Sequence, residues 1–131
     1  MAIIGNYHHV HLISPDPRAA AEWYEEFLGG KIIGDGEVRG ARNVRVTLGE
    51  SFLFIRGERA NESISPAEVG KQRFGVDHIC FHVNDIDGML KEFTAKGGKI
   101  PLPLFELPNG NRAAYVAGPD GVVMELIEPA A

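Results

Sequence analysis

Three things are scarce in this chain, and each scarcity excludes something. Cysteine occurs once in 131 residues, at Cys80. No internal disulfide can form, and a reducing cytoplasm fits. Positive charge is scarce as well: 13 Lys and Arg against 18 Asp and Glu leave a net charge of −5, with no basic run. That balance argues against nucleic acid or an anionic membrane as partner. Long apolar runs are missing too, since no stretch approaches the ~20 residues needed to span a bilayer. Residues 1–6 lack the basic and long apolar regions of a signal peptide. What remains, 44% hydrophobic and 24% charged, is the composition of an ordinary globular protein. The length suits one compact domain, residues 1–131, with a sizeable core.

What is present is a repeat. Tyr7-His8-His9-Val10-His11-Leu12-Ile13-Ser14-Pro15-Asp16 returns as Val76-Asp77-His78-Ile79-Cys80-Phe81-His82-Val83-Asn84-Asp85. His9 and His78 stand 69 residues apart, as do Asp16 and Asp85. Gly29-Gly30-Lys31-Ile32 returns 68 residues later at Gly97-Gly98-Lys99-Ile100, so the second helix is one residue shorter. A repeat that fills the chain predicts two copies of one small module.

Taken in order, residues 7–13 alternate, with His9, His11 and Ile13 on one face of a strand and Val10 and Leu12 on the other. Asp16-Pro17 reads as a helix N-cap followed by proline in the first helical position. Ala20, Trp23, Tyr24, Phe27 and Leu28 form the apolar stripe. After Gly29-Gly30 a short strand is expected at 31–33, then a turn at Gly34-Asp35-Gly36. Strands at 43–48 and 51–56 follow, joined by Gly49-Glu50. Module 1 (about 5–57) is therefore βαβββ. Residues of about 58–73 read as a polar linker, long enough to cover something. Module 2 (about 74–128) opens with a strand at 77–83, on which His78, Cys80 and His82 share a face. Asp85 caps a helix striped by Ile86, Met89, Leu90 and Phe93, and Gly97-Gly98 stops it. Strands at 99–100, 113–116 and 122–127 complete a second βαβββ, with turns at Pro108-Asn109-Gly110 and Pro119-Asp120-Gly121. The fold class is α+β. The helices should bury Val10, Leu12, Ile79 and Phe81, which leaves the imidazoles on the opposite, concave side. That is a costly setting for polar groups without a task.

Four pieces in order carry a family resemblance. They are His9-Val10-His11-Leu12 with Asp16, the Phe27-Leu28-Gly29 helix end, His78-Ile79-Cys80-Phe81 with Asp85, and Gly118-Pro119-Asp120-Gly121-Val122-Val123-Met124-Glu125-Leu126. Together they resemble the vicinal oxygen chelate superfamily, the glyoxalase, bleomycin-resistance and extradiol-dioxygenase group. The resemblance implies a fold with a metal-lined cavity and places the metal ligands at His9, His78 and Glu125. Two imidazoles and a carboxylate suit Fe(II), which is favoured, or Mn(II), Ni(II), Co(II) or Zn(II). The substrate would be a small molecule that presents two vicinal oxygens. Lyase and epimerase members usually have a fourth ligand at a position that aligns with Phe54, and Glu50 and Glu58 lie four residues to either side. Phenylalanine cannot bind a metal, so a glyoxalase-I-type reaction is disfavoured and ring-cleaving dioxygenase chemistry preferred. Tyr115 matches an active-site tyrosine of the extradiol enzymes, whose hydroxyl can hydrogen-bond an oxygen at the metal.

Further assignments are open. His11 and His82 are candidate acid/base groups, with pocket wall or subunit contact as the alternative. Cys80 reads as small apolar filler. Arg45, Arg56 and Arg112 could meet an anionic substrate, although a solvated surface is the simpler reading. The alternatives to a dioxygenase are a glyoxalase-like lyase or epimerase, and a metal-free drug-binding protein of the bleomycin-resistance kind. The resemblance further implies a homodimer, with the metal site formed within one chain or across two.

Overall fold

Alternation of polar and apolar side chains gives β1 (His9–Ile13), an edge strand of the first sheet. In the computed structural model, which describes residues 1–68 and 71–131, two units are distinguished, Met1–Ser65 and Pro66–Ala131. In the first unit β1 leads into α1 (Pro17–Leu28), whose free N-terminal amides are met by Asp16: its Oδ1 accepts from the Ala19 amide at 3.1 Å. Gly29, at φ 70°, ends the helix in the left-handed conformation that glycine adopts without strain. The strands β2 (Lys31–Val38), β3 (Ala41–Leu48) and β4 (Ser51–Arg56) follow. The sheet order is β1-β4-β3-β2, with β1 parallel to β4 and the other pairs antiparallel. One face of this sheet supplies Val44, Val46, Leu53 and Ile55 to a core shared with Ala20, Ala21 and Tyr24 of α1. Each buried Val, Leu or Ile contributes roughly 1.5–3 kcal/mol.

The turn expected at Gly34-Asp35-Gly36 is not there. These residues run within β2, after a bulge between Ile32 and Gly34. Asp35 keeps the strand extended by accepting from Arg42 Nη2 at 2.7 Å and from Arg18 Nη1 at 3.1 Å. The chain reverses instead at Arg39-Gly40, with φ 51° and 77°, the two-residue geometry that follows strand twist.

The second unit repeats the arrangement: β5 (Ile79–His82), α2 (Ile86–Ala95), β6 (Leu102–Glu106), β7 (Arg112–Ala117) and β8 (Val123–Glu128), in sheet order β5-β8-β7-β6. Asp85 Oδ1 accepts from the Gly88 amide at 3.0 Å, and Glu128 Oε2 from the Ile86 amide at 2.7 Å. Two carboxylates thus satisfy the start of α2. Ile86, Phe93, Ala114, Val116, Met124 and Leu126 form the core. Gly98 is glycine because the Phe93 ring fills the place a Cβ would take.

The short strand expected at 99–100 forms instead at Leu102–Glu106. Lys99 keeps one backbone bond, accepting from the Ala117 amide at 3.0 Å. Pro103 then lies in an edge strand, with a bulge between Leu102 and Phe105, where a missing N–H is tolerated. Val10, Leu12, Ile79 and Phe81 are half-buried and not fully enclosed, since β1 and β5 are edges. Within the expected linker, Glu62 is held by Arg56 of β4 through two contacts of 2.6 and 3.1 Å; Val69 and Gly70 lie outside the described residues. Two four-stranded mixed sheets, each carrying one helix, make an α+β protein of two βαβββ modules. Among the described residues no helix is long and apolar enough to cross a membrane.

Candidate metal centre

Register brings the second unit's candidates together. β5 and β8 run parallel with Cys80 beside Glu125, and β7 runs antiparallel to β8 with Tyr115 opposite the same glutamate. Residues paired across strands share a face. His78, immediately before β5, has Nε2 3.7 Å from Glu125 Oε1, and its ring centroid lies 4.8 Å from that of Tyr115. Its Nδ1 donates to Asp77 Oδ2 at 2.7 Å, which leaves Nε2 as the free nitrogen. Burial, then the charge and hydrogen bond of Glu125, pushes the Cys80 thiol up to about 11, although the residue as a whole is exposed. Cys80 therefore stays a neutral thiol near pH 7 and is not a ready nucleophile. The Tyr115 hydroxyl is raised above its ordinary value by burial first, then by the carboxylate of Glu125.

The first unit offers the same backbone with different chemistry. His11 stands beside Phe54 in the β1–β4 register just as Cys80 stands beside Glu125. Phe54 is thus the repeat counterpart of Glu125. Its ring stacks on His9, with centroids 4.1 Å apart and 25° between planes. His8 and His9 share a hydrogen bond of 2.8 Å between their Nδ1 atoms. His8 and Asp77 are themselves repeat partners, 69 residues apart. In both modules, then, the residue before the candidate ligand engages Nδ1. A carboxylate partner such as Asp77 fixes ring orientation and tautomer for metal binding. Sequence reasoning passed over both residues, although their place ahead of His9 and His78 in each copy was the available signal. His11 donates from Nε2 to Asn43 Oδ1 at 3.1 Å. Burial lowers its pKa, the Asn43 bond opposes this, and His9, Arg56 and Arg59 add to the lowering.

His82 lies elsewhere. It is exposed, four residues along from His78 and so ~13 Å away by strand rise. There it lines an open depression with Asn84, Met89 and Glu128. Among the described residues no group of three or more His, Cys, Asp or Glu could hold a metal ion. Of the expected ligands, His78 and Glu125 are brought together and His9 belongs to the first unit. The pair fits a divalent metal. Two donors ~2.1 Å from one ion stand ~3.0–3.4 Å apart, and the observed 3.7 Å is only slightly longer.

A parallel edge strand, a capping helix and three further strands, present twice, with His78 and Glu125 facing one another, define a vicinal-oxygen-chelate fold. The chain belongs to the Glyoxalase/Bleomycin resistance protein/Dioxygenase superfamily, whose family model matches residues 6–126. A search of curated protein sequences finds no match. Among solved structures, SMU.1112c is 26% identical, with 96% of this chain and 100% of that one covered and a TM-score of 0.78. A glyoxalase I variant from Zea mays is 21% identical, covering 95% of this chain and 45% of that one, at a TM-score of 0.76. A FosX variant from Listeria monocytogenes, complexed with Mn(II) and 1S,2S-dihydroxypropylphosphonic acid, is 16% identical over 95% and 92%, at 0.71. The last two likenesses concern the fold alone.

Proposed function

We propose that the chain is a divalent-metal-dependent enzyme that takes a small substrate through two vicinal oxygens, with extradiol-type dioxygenase chemistry preferred over lyase or epimerase chemistry. The observation that carries this is the asymmetry of the repeat: His78 faces a carboxylate, whereas His9 faces a phenyl ring in the matching register. His78 and Glu125 supply two ligands. His9 is assigned as the third from the family resemblance. When bound, the metal supplies Lewis acidity and, as iron, redox chemistry with dioxygen.

The protein's own groups have separate tasks. Phe54 forms an apolar wall that excludes water and stacks on an aromatic substrate. Tyr115, with its pKa raised, keeps its proton at neutral pH and donates a hydrogen bond to a substrate oxygen. His11, held through Nε2 by Asn43 and kept neutral by burial, offers Nδ1 as proton acceptor. His82 reaches only a substrate long enough to extend to the far end of β5. We assign the enzyme to the cytoplasm, as a homodimer.

Elemental analysis of protein purified anaerobically, without chelators or an affinity tag, tests this together with oxygen uptake against a panel of catechols. Near-stoichiometric iron with oxygen consumption is the expected result. Another divalent metal without oxygen use moves the assignment to a lyase or epimerase. No metal after reconstitution sinks the enzyme reading and leaves a small-molecule-binding protein.

A further inference from the structure

Of three arginines that could meet an anion, two are engaged within the protein, Arg56 by Glu62 and Arg112 by Asp87 and Glu128. The side chain of Arg45 carries no hydrogen bond or ion pair among the described residues. It stands in the middle of the imidazole face of the first unit, where the register across the four strands reads Gly34, Arg45, Phe54, His11. Its guanidinium lies on bare backbone: a Cβ on Gly34 would stand 2.6 Å from Nη2 and 2.7 Å from Nε. Two residues along the same strand, Gly36 opens onto empty space. Neither glycine serves a turn or adopts a positive φ. Glycine inside a strand weakens it and marks a bulge, as Gly34 adjoins here, or close approach of another group, as the guanidinium makes on Gly34. Here Gly34 seats the guanidinium and Gly36 keeps the floor beside it open.

A guanidinium seated this way, with its donors unpaired, suits a planar carboxylate held through two hydrogen bonds. We infer that Arg45 is a specificity-determining residue that binds a carboxylate at the distal end of the substrate, beyond Phe54 from the imidazoles. β2, over which the guanidinium sits, is three strand spacings from β1, or ~14 Å. The carboxylate is therefore separated from the reacting oxygens by a spacer. Placing the reacting end at His9 rests on the proposed function; the anion site itself does not.

The test uses two probes matched in shape, 3-phenylpropionate and 3-phenylpropanol. They are titrated by NMR into metal-free and metal-loaded wild type, Arg45→Gln and Gly34→Ala. Wild type is expected to bind the carboxylate at least tenfold more tightly than the alcohol. Arg45→Gln should erase that preference without changing metal content or Tm. Gly34→Ala keeps the charge but pushes the flexible guanidinium off its seat, so it should lose threefold or more. A preference that survives Arg45→Gln, or a wild type with none, overturns the inference. An Arg45-dependent preference in a protein that takes up no metal upholds the anion site and sinks the metalloenzyme reading. Stoichiometric metal without that preference does the reverse.

Discussion

Replacing Phe54 by glutamate asks whether the repeat's chemical asymmetry limits the metal site. The ring stacks on His9 at 4.1 Å and is half-buried. Losing the stack costs roughly 0.5–1.5 kcal/mol, and the lost apolar burial about 1–2 kcal/mol more. The metal-free variant should therefore be about 2–3 kcal/mol less stable, a Tm lower by roughly 10 °C for a domain of this size. Metal should reverse part of that loss. If the new carboxylate reaches an ion held by His9, Zn(II) or Ni(II) affinity rises at least tenfold, about 1.4 kcal/mol. Ligand present at 100 times Kd stabilises by ~2.7 kcal/mol, and at 1,000 times Kd by ~4.1 kcal/mol. Scanning calorimetry with and without metal, beside a chelator-competition titration, reads both quantities. Phe54→Leu is the control, since it removes the ring and adds no donor. The reasoning fails if Phe54→Glu loses stability as expected yet binds Zn(II) no better than Phe54→Leu.

Four other outcomes are expected. Glu125→Ala should abolish metal binding and leave the metal-free Tm nearly unchanged, because Glu125 faces away from the helix-packed core; full occupancy by elemental analysis would show the ligand to be misassigned. Asp77→Asn should weaken metal binding roughly 10–100-fold, as loss of a histidine's carboxylate partner does, whereas an unchanged chelator-competition curve would reduce Asp77 to a surface contact. Gly98→Ala should cost about 1–3 kcal/mol by urea unfolding through its clash with Phe93, and equal stability would refute that packing account. Arg42 holds the Asp35 carboxyl, and Arg56 the Glu62 carboxyl, down to about 2. Stability from these depressed groups is complete above the unfolded carboxylate pKa of ~4 and lost as pH falls through about 2. Asp35→Asn and Glu62→Gln should therefore flatten the acid limb of Tm against pH, and an unaltered limb would count against both pairs.

Local chemistry made much of the fold legible. Asp16-Pro17 and Asp85 announced helix starts because a cap is a bond between near neighbours, seen at Ala19 and Gly88. The offset shared by His9 and His78 announced two modules because a repeat needs no tertiary knowledge. Gly34-Asp35-Gly36 misled because its strand is held by Arg18 and Arg42, partners that turn statistics do not include. The strand expected at 99–100 began later because an edge tolerates Pro103, and edge status is a property of the assembled sheet.

The candidate site divides along the same line. The family resemblance pointed to His78 and Glu125, while the Nδ1 partners His8 and Asp77 emerged only from ring orientation. Arg45 differs from Arg56 and Arg112 only in what surrounds it, which sequence does not encode locally. The duplicated backbone offers two histidine positions and two positions beside them, and in one copy that second position is phenylalanine. A copied module fixes where side chains point, and divergence then decides which of them carry donors. Glu125 is an acidic donor where Phe54 has only a ring, so the same register that makes the two modules alike makes their chemistry unequal.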